Sequence, residues 1–165
     1  MLDEVQSQRP EAGSRPEKVE VGEEDEATMS SAPEDTLIVV KPDGVRRGLV
    51  GEVVSRFERK GFVVKRLQMI TMSKPQAEEF YSVHKGKPFF PELVAFITSG
   101  PVVGAVLSGR DAVATARRMV GATKSWEAAP GTVRGDLGLG YTDNIIHASD
   151  SAESFTHESR AFFRS

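Results

Sequence analysis

Thr36-Leu37-Ile38-Val39-Val40 is a run of apolar and β-branched residues, and Lys41-Pro42-Asp43-Gly44 closes it with turn chemistry. Upstream the composition changes abruptly. Residues 1–34 hold no aromatic residue, no hydrophobic period and scattered Pro, Gly, Ser and Glu. Such a segment cannot bury enough apolar surface to offset its conformational entropy, so a disordered acidic tail is expected over 1–34 and one folded domain over 35–165. Residues 1–35 carry eleven acids against Arg9, Arg15 and Lys18, a net of −8; taken from the chain total of −3, this leaves +5 for the remainder. A basic body points to anionic small molecules or nucleic acid as partners. The chain has no cysteine, which removes disulfides, thiolate nucleophiles and cysteine-ligated zinc. With no run of about 18 apolar residues a membrane span is not expected. The tail is too acidic for a transit peptide and lacks the apolar core of a signal peptide, so the cytoplasm is the expected compartment.

Downstream, Leu49, Val50, Val53, Val54 and Phe57 follow helical spacing between Gly48 and Lys60, with Gly61 where a C-terminal cap belongs. Phe62 to Thr71 reads as a second strand, and Ser73 is expected to cap a short helix through Gln76. Phe89 to Thr98 reads as a helix stopped by Ser99-Gly100-Pro101. Val102 to Leu107 is a third strand, and Asp111 is expected to cap a helix reaching about Val120. A loop follows to about Pro130, then a short strand through Val133 and a Gly-rich stretch to Asn144. The last helix begins near Ser151, with Phe155, Phe162 and Phe163 on its buried side. This order predicts an α+β fold, a ferredoxin-like βαββαβ antiparallel sheet with additional helices.

Two common phosphate signatures are absent. Gly86-Lys87 is followed by Pro88 rather than Ser or Thr, which excludes a P-loop, and the glycines of Gly135-Asp136-Leu137-Gly138-Leu139-Gly140 lack the dinucleotide-binding spacing. The unusual string is Asn144-Ile145-Ile146-His147-Ala148-Ser149-Asp150-Ser151. A histidine leaves an apolar strand and is followed by residues suited to a helix N-terminus, where backbone N–H groups and the helix dipole favour anions. That setting suits a neutral, nucleophilic imidazole facing a phosphate, with Glu158 in the following helix placed to orient it. A core-edge histidine followed by capping residues is the alternative these eight residues leave open. Lys41, Arg117, Lys124 and Arg134 sit at element ends or in loops, where such cations beside loop hydroxyls and an exposed Phe suit a polyanion carrying an aromatic base. His84 and His157 read as surface residues. Trp126 reads as a local packing anchor or a contact between subunits.

Six segments together resemble the nucleoside diphosphate kinase family. They are Val40-Lys41-Pro42-Asp43-Gly44-Val45, Arg47-Gly48-Leu49-Val50-Gly51, Pro88-Phe89-Phe90, Ser99-Gly100-Pro101-Val102-Val103, Pro130-Gly131-Thr132-Val133-Arg134-Gly135-Asp136 and the His147 string. The likeness runs in order from Thr36 to about Phe163 and leaves the tail outside. It implies ping-pong transfer of a γ-phosphate from a nucleoside triphosphate to a nucleoside diphosphate through phosphorylated His147, with broad base and sugar specificity. Glu158 and Ser149 would position His147, and Tyr81 would lie beside the moving phosphoryl group. Arg117, Thr123 and Arg134 would hold phosphates, while Lys41 and Asn144 would reach the sugar 3′-hydroxyl and Lys41 would also touch the γ-phosphate. Phe89 would stack on the base with Leu93 behind it. Asp150 would face Mg²⁺ through water.

The resemblance also implies a homo-hexamer or, alternatively, a homo-tetramer, and the short C-terminus a bacterial or archaeal type. Three positions depart from the family pattern. Ala148 replaces the glycine after the histidine, Lys87 stands where arginine is common, and Tyr141 takes the place of the aliphatic residue opposite Phe89 across the base. A nucleic-acid-binding module is the rival from another class, and nucleic-acid contact is retained only as a secondary activity. The strands lack the aromatic stacking motif of single-stranded RNA readers. A catalytically inert interaction protein is opposed by the retention of His147 with its whole retinue.

Overall fold

The computed structural model of the chain describes residues 32–164. The tail expected over 1–34 lies outside the described residues as far as residue 31. The fold begins one residue before the expected boundary: strand β1 spans Glu34–Val40, so Glu34 already belongs to the sheet. The reason is a long-range pairing that local polarity hides, for Glu34 lies opposite Gly109 in the ladder.

From β1 the chain forms α1 (Pro42–Arg46), α2 (Val50–Lys60), β2 (Val63–Ile70) and α3 (Lys74–Phe80), then a 3₁₀ turn at Ser82–His84. It continues through α4 (Phe90–Ile97), β3 (Val102–Gly109), α5 (Ala112–Val120), a second 3₁₀ turn at Ser125–Glu127, α6 (Val133–Leu137), β4 (Ile146–Ala148) and α7 (Ala152–Phe162). The sheet order is β2-β3-β1-β4 with each neighbouring pair antiparallel, the predicted ferredoxin-like arrangement. β1 is central and its side chains alternate between two cores. Ile38 and Val40 pack with Val53 and Phe57 of α2 and Ala112 and Ala116 of α5. Leu37 and Val39 pack with Phe80 of α3, Ile97 of α4 and Phe162 of α7. Burial on both faces is why β1 reads as an unbroken apolar run instead of an alternating one.

Gly104 of β3 faces Val39 across the ladder, and a Cβ there would run into the Phe162 ring. Phe162 is fully buried and packs edge-on against Phe163, so it has no room to yield. Gly104→Ala is therefore expected to destabilise the fold by about 1–3 kcal/mol or more, as overpacking does. Thermal unfolding checks this, and an unchanged melting temperature would refute the close approach.

Some local expectations hold. Gly61 caps α2 in the left-handed conformation, φ 114°, and the Ser73 hydroxyl accepts the Gln76 N–H at 3.2 Å. Three do not. The Lys41-Pro42-Asp43-Gly44 turn is the start of α1, because Pro42 supplies a helical φ at a position whose N–H would go unbonded anyway. The strand expected through Val133 is α6, opened by the Thr132 hydroxyl, which accepts the Gly135 N–H at 3.0 Å. Val133 is buried from a helix, and one apolar residue cannot reveal a period. Asp111 makes no side-chain cap of α5, since its backbone is left-handed at φ 46°. The Glu34 carboxylate accepts the Val113 N–H instead, at 3.0 Å, so the cap comes from the far end of β1.

Candidate active site

The sheet itself positions His147. It lies inside β4 rather than beyond it, opposite Val39 of β1. Ile145, just ahead of it, has φ 73°, a conformation that a β-branched residue adopts only when its surroundings impose it. The restraints are visible. Asp43 accepts the Ile145 N–H at 3.0 Å, and the Lys41 N–H donates to the Ile145 carbonyl at 2.8 Å. Buried Arg134 donates to the carbonyls of Asn144 (3.3 Å), Ile146 (2.6 Å) and Gly121 (3.1 Å). The segment Lys41-Pro42-Asp43 and Arg134 thus clamp the backbone that carries the histidine.

The imidazole Nε2 lies 2.8 and 2.9 Å from the two carboxylate oxygens of Glu158. A carboxylate accepts, so Nε2 carries the proton and the lone pair of the neutral ring resides on Nδ1. Glu158 is buried and also accepts the Ser149 hydroxyl at 2.9 Å, which holds the carboxylate in place. The Phe80 and Tyr81 rings flank the imidazole edge-on at 5.1 and 6.2 Å between centroids. Burial, with the nearby Glu158 charge, pushes the Tyr81 phenol well above its usual range, so it stays a neutral donor. The His147 side chain remains 23% exposed, open to a reactant.

Three of the four cations expected at the site, Lys41, Arg117 and Arg134, converge on the segment from Thr142 to Ala148, while Lys124 is exposed. Lys41 is buried and donates to the Asn144 side-chain oxygen at 3.0 Å and the Thr142 carbonyl at 2.7 Å. Burial, then the charge of Arg134, lowers its pKa to about 8. Burial, then Arg117, brings Arg134 to about 10. The Asn144 amide donates to the Thr123 carbonyl at 3.0 Å, bringing that loop alongside. Arg117 is exposed and reaches the Ala148 carbonyl at 3.1 Å. Asp150 is exposed, and the Ser154 hydroxyl, 2.6 Å from its carboxylate, holds its pKa below the usual range, with Arg117 adding to the effect.

Phe89 stands at the N-cap of α4, 43% exposed, and Leu93 sits one helical turn on, its N–H bonded to the Phe89 carbonyl at 3.1 Å. Tyr141 is 54% exposed, and its neighbour Thr142 ties the loop to α4 through Glu92 at 3.3 Å. The ring lying against Phe89 is His84, 5.5 Å away, which is also 6.3 Å from Tyr81. His84 therefore bridges the aromatic rim of the site and is not the bland surface residue expected. Lys87 joins that rim, 3.3 Å from the His84 ring nitrogen and 5.6 Å over the Phe89 ring. The spacing Tyr81, His84, Phe89 was the available signal. His157 is half-buried with two partners, again unlike a surface histidine. Trp126 is 58% exposed, which discards the local packing anchor.

A sequence profile described as nucleoside diphosphate kinase matches residues 34–165. The chain belongs to the nucleoside diphosphate kinase family. The nucleoside diphosphate kinase of Staphylothermus marinus is 54% identical over 131 residues, 79% of this chain and 93% of that one. That of Picrophilus torridus is 55% identical over 130 residues, 79% and 94% of the two chains. Among solved structures, the Aquifex aeolicus nucleoside diphosphate kinase superposes with a TM-score of 0.78 at 45% identity, covering 81% of this chain and 96% of that one. The halophilic Halobacterium salinarum kinase, solved in complex with CDP, gives 0.77 at 44% identity, covering 80% and 88%. The chain is thus a kinase that transfers phosphate between nucleotides, and the residues gathered around His147 form its candidate active site.

Proposed function

We propose that this kinase works by a ping-pong mechanism through a phosphohistidine on His147, with broad base and sugar specificity. The observation that carries the reading is the Glu158 carboxylate on Nε2, which leaves the Nδ1 lone pair free. Nδ1 attacks the γ-phosphorus of a nucleoside triphosphate, and the bond from phosphorus to the β,γ-bridging oxygen breaks to release the diphosphate. The Nε2 proton stays with the ring, and Glu158 offsets the positive charge that develops there. A second diphosphate then attacks with a terminal oxygen, the N–P bond breaks, and His147 returns to its neutral form. Phosphoryl transfer asks mainly for positioning and charge stabilisation. Arg117, Arg134 and Thr123 hold the phosphates, and Tyr81 lies beside the group in flight. Lys41 and Asn144 meet the sugar 3′-hydroxyl, common to both sugars. Phe89, backed by Leu93, stacks on a π-face that every base has, and Tyr141 faces it across the base.

Magnesium fits this site as a substrate-borne ion. Among the described residues no three His, Cys, Asp or Glu cluster into a metal cage. The lone Asp150 carboxylate suits an ion bound chiefly to phosphates and reached through water. When bound, Mg²⁺ supplies charge neutralisation at the phosphates. The rival RNA-reading module would need an open sheet face, whereas here the central strand is buried on both faces, so nucleic acid stays at most a secondary partner. On this reading the enzyme works in the cytoplasm, and among the described residues no helix is long and apolar enough to cross a membrane. The test is incubation with γ-labelled ATP. Acid-labile, base-stable label that a nucleoside diphosphate discharges is expected, and a protein that turns over without ever taking label would overturn the mechanism.

Assembly into a homo-hexamer built from dimers, or alternatively a homo-tetramer, draws support from two exposed apolar regions. Val63, Leu67 and Met69 on edge strand β2 are 63, 52 and 56% exposed, a sheet edge open to pairing. Trp126 and Leu139 stand exposed elsewhere, on segments joined by the Ser125 N–H to the Gly140 carbonyl. Closed assemblies larger than dimers with dihedral symmetry need more than one kind of interface. Light scattering is expected to give an oligomer at micromolar concentration, and Leu67→Glu with Met69→Lys to lower its mass. A monomeric wild-type protein would sink both assemblies.

A further inference from the structure

The inference rests on the phosphohistidine reading and concerns what keeps the imidazole aimed. Two separate elements hold His147. Helix α7 brings Glu158 to Nε2, and the end of α3 brings Phe80 and Tyr81 against the ring. The imidazole sits in a fixed attitude only if those elements keep their spacing.

His157 joins them at that point. Its Nε2 lies 2.8 Å from the Glu79 carbonyl and 3.0 Å from the Ser82 hydroxyl. A carbonyl can only accept, so His157 carries its proton on Nε2 and donates it there, with Ser82 sharing the same N–H. Glu79 and Ser82 bracket Phe80 and Tyr81, and His157 directly precedes Glu158. One half-buried side chain therefore spans both holders of the nucleophile. We infer that His157 is a positioning residue for phosphoryl transfer, a strut that sets the distance between Glu158 and the Phe80–Tyr81 pair. Among the described residues, two other ties reach α3 from the C-terminal end of α7 and the residues just after it. Gln76 donates to the carbonyls of Ala161 and Phe162, both at 3.0 Å, and Arg164 pairs with Glu79. These fasten the C-terminal end of α7 and serve as the comparison.

The experiment is single-turnover phosphorylation of His147 by labelled ATP across a range of ATP concentrations, using the full chain. His157→Leu keeps the bulk and removes the donor. Its maximal rate is expected to fall roughly tenfold to a hundredfold, the scale of a misplacement of about 1 Å. The half-saturating ATP concentration should stay within about twofold, because His157 touches no nucleotide-binding residue. His157→Gln, which restores an N–H donor of similar reach, should recover most of the rate. Gln76→Leu should lower the melting temperature and leave the rate alone. Should His157→Leu not fold, His157→Asn, polar but a methylene shorter than glutamine, takes its place with the same expectation. A folded His157→Leu protein at the wild-type rate overturns the strut, as does a Gln76→Leu protein slowed equally. Wild-type protein that takes no label overturns the phosphohistidine reading instead.

Discussion

On the proposed mechanism, His147→Ala is expected to abolish both labelling by ATP and steady-state transfer, a fall on the order of 10⁵-fold or more, because the covalent intermediate loses the atom it forms on. His84→Ala is expected to retain the label, since that ring lies against Tyr81 and Phe89 rather than the His147 imidazole. Glu158→Gln separates orientation from charge. The amide oxygen still accepts from Nε2, so the tautomer survives, while the negative charge opposite the developing cation is gone. A loss of roughly 10²-fold in kcat is expected, with KM little changed. Rapid-quench labelling of the three proteins measures this. Full labelling of His147→Ala at another residue would require a different nucleophile, and an unimpaired Glu158→Gln protein would leave Glu158 a purely structural role.

The second large effect belongs to Lys41 and pH. Its folded pKa, about 8, lies below the ordinary lysine value of 10.5, chiefly through burial. As pH rises through about 8 the free enzyme loses this cation, so kcat/KM for nucleotide should decline above that point. Bound phosphates favour the charged form and move the break upward, so kcat should hold where kcat/KM falls. Lys41→Met should lower kcat/KM at neutral pH roughly ten- to a hundredfold, the loss of one charged hydrogen bond, and should flatten the alkaline limb. The stability sign is opposite. Between about 8 and 10.5 the unfolded chain binds more protons at this residue than the folded one, so its contribution to stability rises with pH in that window. Initial-rate profiles and denaturant midpoints from pH 7 to 10 check both limbs. A wild-type kcat/KM that stays level to pH 10 would mean that Lys41 does not act as a cation on the substrate.

Much of this could be read along the chain because the signals were local. Gly61 had to end a helix, Ser73 had to cap one, and the apolar run of β1 had to be a buried strand; each is decided by a few consecutive residues. The failures share a cause as well. Asp111 was the natural cap for α5, yet Glu34 supplies it from the opposite end of a strand. Val133 belonged to a β-branched pair and became helical because the Thr132 hydroxyl turns the chain. His84 and His157 looked bland because neither lies beside a motif, and their neighbours arrive from other elements.

For the site the division is similar. Element order and the six short segments that resemble nucleoside diphosphate kinases were enough to predict the α+β fold, a phosphate-handling chain and a candidate nucleophile, since these depend on residue types and short-range spacing. Tertiary structure alone decided which imidazole nitrogen is free, because the proton on Nε2 follows from a carboxylate eleven residues away. It decided too that Ile145 is held at positive φ by Asp43, Lys41 and Arg134, none of them its neighbour in sequence. Hydrogen bonds of this kind depend on distance and direction in space, which side-chain identity constrains but only the packed sheet and helices set.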